Sequence, residues 1–306
     1  MTNLLESLKP ESRVTVIRLR SLGDCVLTTP ALALLKSFRP DLEITVAVEP
    51  RFSAVFEASP DVDHVISGEK LLSDGLKADL VLNLHGGTRS MLVTLAARAR
   101  YRAGFAHHTW SKLYNVPIPR AQEILCVERT VHTAEHLASA MFYLGVPFQE
   151  IPRAKLVATA SPDLPPYAVI HPFASAANKT WPAERFLVVA SRLRENFGLE
   201  PVFLAGPGEK ADAFAQYRVW RNQPLEGVKN LISGARLFVG NDSGPAHVAA
   251  AFGVPLVALF GASNPVVWSP WRTDARVLTS WSGIGSITVD QVLTALESHR
   301  THRVKA

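Results

Sequence analysis

Cysteine is nearly absent from this chain: Cys25 and Cys126 are the two in 306 residues. They lie far apart and lack the paired spacing of a zinc site or a disulfide framework, which fits a reducing compartment. Long apolar runs are missing as well. The most hydrophobic long stretch, 246–262, is broken by Pro255 and has the helix, turn, strand form of a buried α/β unit, so no transmembrane helix is expected. Residues 1–10 carry Glu6 and Lys9 and no apolar core of signal-peptide length. A cytoplasmic protein is the expectation. No short-period repeat or low-complexity tract occurs. No His or Cys cluster has metal-ligand spacing, and Asp242 has no carboxylate nearby in sequence, so no catalytic metal or other cofactor is expected. The first glycine-containing turn lacks both the GxGxxG spacing and the Walker lysine, which argues against nicotinamide and P-loop chemistry.

What is present suits a folded two-domain protein. With 47% hydrophobic and 19% charged residues, each half of the chain can bury a core of its own. A net charge of +5 favours anionic partners without choosing among them. Short β-branched runs alternate with helical stretches, the pattern of parallel sheets covered by helices on both faces. Strands are expected at 14–18, 44–48, 62–66, 80–84 and 101–104, and again at 167–171, 201–204, 237–240 and 256–259. Helices are expected at 31–38, 90–99, 132–144, 184–197, 211–216, 246–252 and 290–298. Between Pro147 and Pro166 the chain becomes polar and proline-punctuated, as an interdomain connection does. The expected domains are therefore 1–160 and 161–306, two Rossmann-like doubly wound halves facing across a cleft, with the last helix a candidate to return to the first domain. In such sheets ligands sit at the carboxyl ends of the strands.

Four loops can carry chemistry. Gly240-Asn-Asp-Ser-Gly-Pro-Ala-His247 runs from an apolar strand into an Ala-rich helix, whose first amides and dipole can cradle a pyrophosphate. Ser243 adds a hydroxyl and Gly244 allows close approach; the same residues read equally as a helix cap, and His247 as a packed helix residue. Arg20-Ser-Leu-Gly-Asp24 follows the first strand, where the Asp24 carboxylate can act as a base or as a cap. The loop from His171 to Pro182 carries Ser175 and Lys179, and the Lys179 ammonium can meet negative charge growing on a leaving diphosphate or lie solvated at the surface. Gly206-Pro-Gly-Glu209 offers a carboxylate for sugar or ribose hydroxyls, on a turn that is by itself a weak signal. One compositional feature stands apart. From Leu80 to Gln122 there are six basic residues and no Asp or Glu, beside Phe105, His107, His108 and Trp110. That segment can receive an anionic acceptor, rest on acidic headgroups, or form a plain solvated face. Arg20, Arg89, Arg102 and His107 are the acceptor-binding candidates.

The chain resembles the glycosyltransferase family that contains the ADP-heptose:lipopolysaccharide heptosyltransferases, family 9. The resemblance rests on Ser21-Leu-Gly-Asp24 with Pro30, on His171-Pro with Lys179-Thr-Trp-Pro182, on Gly240 to His247, and on Pro255, Phe260-Gly261, Asn264-Pro265 and Trp268-Ser-Pro-Trp271. It implies the GT-B fold, with an acceptor-binding first domain and a nucleotide-sugar-binding second one. It also implies inverting, metal-independent transfer of heptose from ADP-heptose to an inner-core sugar of lipopolysaccharide, at the cytoplasmic face of the inner membrane. By motif, Asp24 is then the general base, Lys179 the diphosphate partner, and Asp242, Ser243, Gly244 and His247 the donor turn, with Ser175 and Glu209 also on the donor side. The implied partners are a nucleotide-sugar, an anionic glycolipid and the membrane surface, and not nucleic acid. The chain departs from the family at Leu225-Glu-Gly-Val-Lys229-Asn, which stands where a Gly-Lys-Thr-Ser-like stretch is usual. A non-catalytic sugar-binding relative of the same fold is the alternative.

Overall fold

The structure, a computed structural model, describes residues 2–74 and 77–303. The chain divides into two compact units, Met1–Val157 and Ala158–Ala306.

In the first unit six parallel strands, β1 (Arg13–Ile17), β2 (Glu43–Val48), β3 (His64–Ser67), β4 (Leu80–Asn83), β5 (Tyr101–Phe105) and β6 (Val116–Ile118), lie in the order β3-β2-β1-β4-β5-β6. The helices are α1 (Leu4–Ser7), α2 (Leu22–Phe38), α3 (Gly68–Asp74), α4 (Thr88–Ala96), α5 (Ala121–Leu125) and α6 (Thr133–Leu144). Val14, Val16 and Ile17 of β1 are fully buried, because helices cover a parallel sheet on both faces and leave its central strands no polar side. This strand order reverses direction between β1 and β4, and that switch point is where an open α/β sheet leaves a crevice for ligands.

The second unit repeats the plan. Strands β7 (Tyr167–His171), β8 (Glu200–Ala205), β9 (Arg218–Arg221), β10 (Leu237–Asn241), β11 (Leu256–Phe260) and β12 (Ala275–Thr279) lie in the order β12-β11-β10-β7-β8-β9. Its switch point falls between β7 and β10. The helices are α7 (Ala183–Phe197), α8 (Leu225–Ser233), α9 (Gly244–Phe252), α10 (Pro265–Trp268) and α11 (Val289–Arg303). Val292 and Leu296 of α11 are buried in the core of this unit, with Phe186, Val189 and Leu193 of α7 and Val257 and Leu259 of β11. The closing helix therefore packs on the second sheet.

Two departures from expectation bear on the site. Helix α2 begins at Leu22 rather than near Ala31, so Gly23 and Asp24 stand in its first turn. Pro30 inside it obscures this, since proline lacks the amide that would reach the Val26 carbonyl. The Thr29 hydroxyl donates to that carbonyl instead, at 2.8 Å, and the helix runs on. The expected helix at 211–216 is only a 3-10 turn, Asp212–Phe214, and strands β6, β9 and β12 went unpredicted because each is short or charged along an edge of its sheet.

Candidate functional site

At the switch point of the second unit, β7 ends on His171 and β10 on Asn241. Asn241 is fully buried and makes the local framework. Its side-chain amide donates to the Pro172 carbonyl at 2.9 Å, and its oxygen accepts from the Trp181 amide at 3.0 Å, so the loop 172–181 is tied to β10. The next residues open α9. Ser243 occupies the cap position but makes no cap hydrogen bond; its Oγ lies 3.0 Å from Nδ1 of the buried His171. The helix start is thus free of a side-chain cap, the arrangement that favours an anion, although Pro245 has no amide to offer and the Ala246 amide returns to the Ser243 carbonyl at 3.1 Å. The other face of the same imidazole meets Glu209, with Nε2 to Oε2 at 3.6 Å. Glu209 Oε2 also accepts from the Gly206 amide at 2.6 Å. Burial pushes the Glu209 carboxyl up, but His171 and the Gly206 amide outweigh it and hold the group below its usual range. Two of the expected residues, Ser243 and Glu209, are therefore joined through one that sequence reasoning left without a role, His171.

Lys179 closes the short 3-10 turn Ala177–Lys179 and is half-buried, with no carboxylate partner among the described residues. Its loop packs on Gly261, where a Cβ would lie 2.1 Å from the Asn178 carbonyl oxygen, so this close approach requires glycine. Asp242 is half-buried and its amide donates to the Leu259 carbonyl at 2.9 Å. Ser175 is exposed on the same loop as Lys179, while His247 lies buried within α9. In the divergent stretch, Lys229 turns inward to Glu226 at 3.0 Å, and Glu226 also accepts from the Thr159 hydroxyl at 2.5 Å.

At the first unit's switch point, Asp24 is the third residue of α2. Its carboxylate completes a capping box with Ser21, accepting from the Ser21 amide at 3.2 Å and hydroxyl at 2.8 Å. The other oxygen pairs with the buried guanidinium of Arg18, which also donates to the Leu84 carbonyl. Cap and charged group are thus one residue, not alternatives. Across the switch point, the fully buried Asn83 accepts from the amides of His85 and Gly86 at 3.0 and 3.1 Å and donates to Ser90 and Thr94. It does for β4 what Asn241 does for β10.

The acceptor candidates separate. Arg20 is exposed beside Asp24, and His85 hydrogen-bonds its backbone. His107 follows β5 at the same end of the sheet. Arg89 is held by Glu49 at 3.2 Å and Glu69 at 2.8 Å, two carboxylates outside the segment that lacks them. Arg102 stands at the amino-terminal half of β5 and donates to the carbonyls of Leu113 and Ala99, away from the strand ends that carry Asp24 and His107. Among the described residues no group of three His, Cys, Asp or Glu side chains can hold a metal ion, and no helix is long and apolar enough to cross a membrane.

Two doubly wound sheets, each with charged and amide-bearing loops at its switch point, define the GT-B class of glycosyltransferases. The chain belongs to glycosyltransferase family 9 (heptosyltransferase), whose model matches residues 72–288. It is 28% identical over 301 residues to lipopolysaccharide heptosyltransferase 3 of Escherichia coli K12, with 85% of each chain covered. Among solved structures, a family 9 glycosyltransferase from Veillonella parvula superposes with a TM-score of 0.83 at 24% identity, covering 94% of this chain and 97% of that one. The E. coli heptosyltransferase WaaC with ADP superposes with a TM-score of 0.78 at 20% identity, covering 94% and 99%.

Proposed function

We propose that this glycosyltransferase moves heptose, or a related sugar, from ADP-heptose to an inner-core lipopolysaccharide or another anionic cell-envelope glycolipid, with inversion and without a metal or other cofactor. The observation that carries the donor side is the uncapped start of α9, with Ser243 held by His171 and His171 facing Glu209. Its amides, the Ser243 hydroxyl and the unpaired Lys179 supply what a diphosphate needs, and Asp242 and His247 frame the turn. Glu209, an acceptor of hydrogen bonds held ionised, suits ribose or sugar hydroxyls. Ser175 joins this side from the Lys179 loop. The relatives' names and the neighbour solved with ADP support the choice of heptose and adenine.

Asp24 takes the role of base. The acceptor hydroxyl loses its proton to Asp24 as its oxygen attacks the anomeric carbon and the bond to the diphosphate breaks, in one step through an oxocarbenium-like state that inverts the centre. The capping bonds orient Asp24, and one of them yields to the acceptor hydroxyl when that binds. Arg20 and His107 remain on the acceptor side, whereas Arg89 is engaged by Glu49 and Glu69 and Arg102 by the carbonyls of Leu113 and Ala99. Work at the inner face of the inner membrane, by peripheral contact, follows from a lipid-linked acceptor.

The test is release of ADP or UDP from candidate nucleotide-heptoses with cell-envelope acceptor extracts, for the wild type and Asp24→Asn. ADP release that needs acceptor and vanishes in the variant supports the reading. Donor binding without release in any extract supports the sugar-binding relative instead.

A further inference from the structure

The first unit carries a cluster of imidazoles of which the proposed chemistry uses only His107. His85 follows β4, His107 and His108 follow β5, and His136 stands on α6, all about the switch point that also holds Asp24. The His107 ring centroid is 4.9 Å from that of His108 and 5.4 Å from that of His136, and His136 stacks on Phe105 at 4.0 Å with 22° between planes. His108 reaches toward the β4 loop, where the Gly86 backbone lies so close that a Cβ there would stand 2.9 Å from the imidazole ring. Gly86, at φ 75°, is thus demanded both by its left-handed backbone and by the ring packed on it.

We propose that these four imidazoles form the acceptor subsite of the first unit and that it recognises the hydroxyl groups of a sugar ring.

Three observations lead there, and the assignment rests on the glycosyltransferase reading above. First, the place is right, since the crevice at a switch point is where an open sheet binds ligands and the cluster borders the Asp24 carboxylate assigned as base. Second, among the described residues no ion pair joins these imidazoles to a carboxylate, as one does for three other histidines. His64 meets Glu43 at 3.0 Å, His299 meets Asp274 at 3.0 Å and His171 faces Glu209, whereas the carboxylate next to this cluster, Asp24, is already paired with Arg18. The charged groups that face it are Arg18, Arg20 and Arg120, with Asp24 acting on His85. Third, the rings are held uncharged. Burial, then the neighbouring Arg18, push His85 down to about 4; burial and the other cluster members do the same for His108 and His136. Burial and Arg120 lower His107. A neutral imidazole offers one donor and one acceptor, the combination a hydroxyl also presents, and its flat face packs on the C–H face of a pyranose. A site meant for phosphate would hold its cations charged.

The test follows the imidazole Cε1–H signals of the full chain by NMR, each assigned by a single His→Gln variant. The probes are methyl α-mannopyranoside, an uncharged pyranoside, and, separately, inorganic phosphate. The expected result is that His85, His107, His108 and His136 move along one saturating curve with the pyranoside at neutral pH, while His64 and His299 stay still and phosphate moves none of the four. The double variant His108→Gln/His136→Gln should weaken the pyranoside about tenfold, the loss of one or two neutral hydrogen bonds. The proposal is overturned if the pyranoside leaves the four signals unmoved, if His64 shifts alongside them, or if phosphate alone moves them. If the double variant does not fold, the wild-type titration decides. A parallel ADP titration separates the two readings: absence of ADP binding sinks the transferase assignment, and an intact ADP isotherm with silent histidines sinks the subsite alone.

Discussion

Both units open a helix with serine beside a switch point, and they use that serine in opposite ways. In the first, Ser21 and Asp24 close a capping box over the start of α2, so the positive end of the helix is filled by a carboxylate of the chain itself. In the second, Ser243 turns from its helix to His171, and the start of α9 stays open to an anion from outside. The same residue type at the same place in the fold builds a fixed negative charge in one unit and an anion receptor in the other. What differs is the third position of the helix. Asp24 supplies a side chain that reaches back to the cap, and Ala246 supplies none.

Breaking that comparison should have graded effects. Asp24→Asn keeps the shape of the cap and removes the base, so turnover should fall about 100- to 10,000-fold, in the range of general-base catalysis, with ADP affinity unchanged; single-turnover ADP release and calorimetry read the two effects separately. Arg18→Met leaves the Asp24 carboxylate in a mostly buried setting without its partner, and should cost about 3 kcal/mol of unfolding free energy in urea, the usual penalty for breaking such a pair from one side. The serines should then part company. Ser21→Ala should lose about 1 kcal/mol of stability and no ADP affinity, whereas Ser243→Ala should lose about tenfold in ADP affinity with stability nearly unchanged. Equal behaviour of the two serines would end the contrast.

A separate effect is a pH dependence carried by the histidines of the first unit. His85, His108 and His136 have folded-state pKa values of about 4 against an ordinary 6.5. Between those values the unfolded chain binds more protons than the folded one, so stability is full above 6.5 and falls as the pH drops toward 4. Urea midpoints measured from pH 7 to 4 should decline, and His136→Gln should flatten the slope. Glu209 adds a separate loss in the second unit, where its lowered pKa helps the fold above the ordinary glutamate range and is lost below it.

Much of this was legible in advance. The alternation of β-branched runs with helices marked the strands of both sheet centres, and the loops proposed as the site, at Asp24, Glu209 and Ser243, follow strand ends as expected. The acceptor side was less legible. The stretch from Leu80 to Gln122 looks uncompensated, yet Arg89 finds Glu49 just after β2 and Glu69 on α3, partners that a sequence window cannot contain. Asn83 and Asn241, each ending an otherwise apolar strand, carried a signal that went unread: a buried amide at a strand end organises the loop beyond it.

The chain's own order of residues determined the two doubly wound units and which loops stand at the strand ends, because hydrophobic periodicity and turn chemistry act over a few residues. Only the tertiary structure decided which way each side chain at those ends turns. His171 meets Ser243 across 72 residues of chain, and His107 meets His136 of α6 from the loop after β5. Such contacts depend on strand order, which parallel pairing of distant segments sets and no local pattern records.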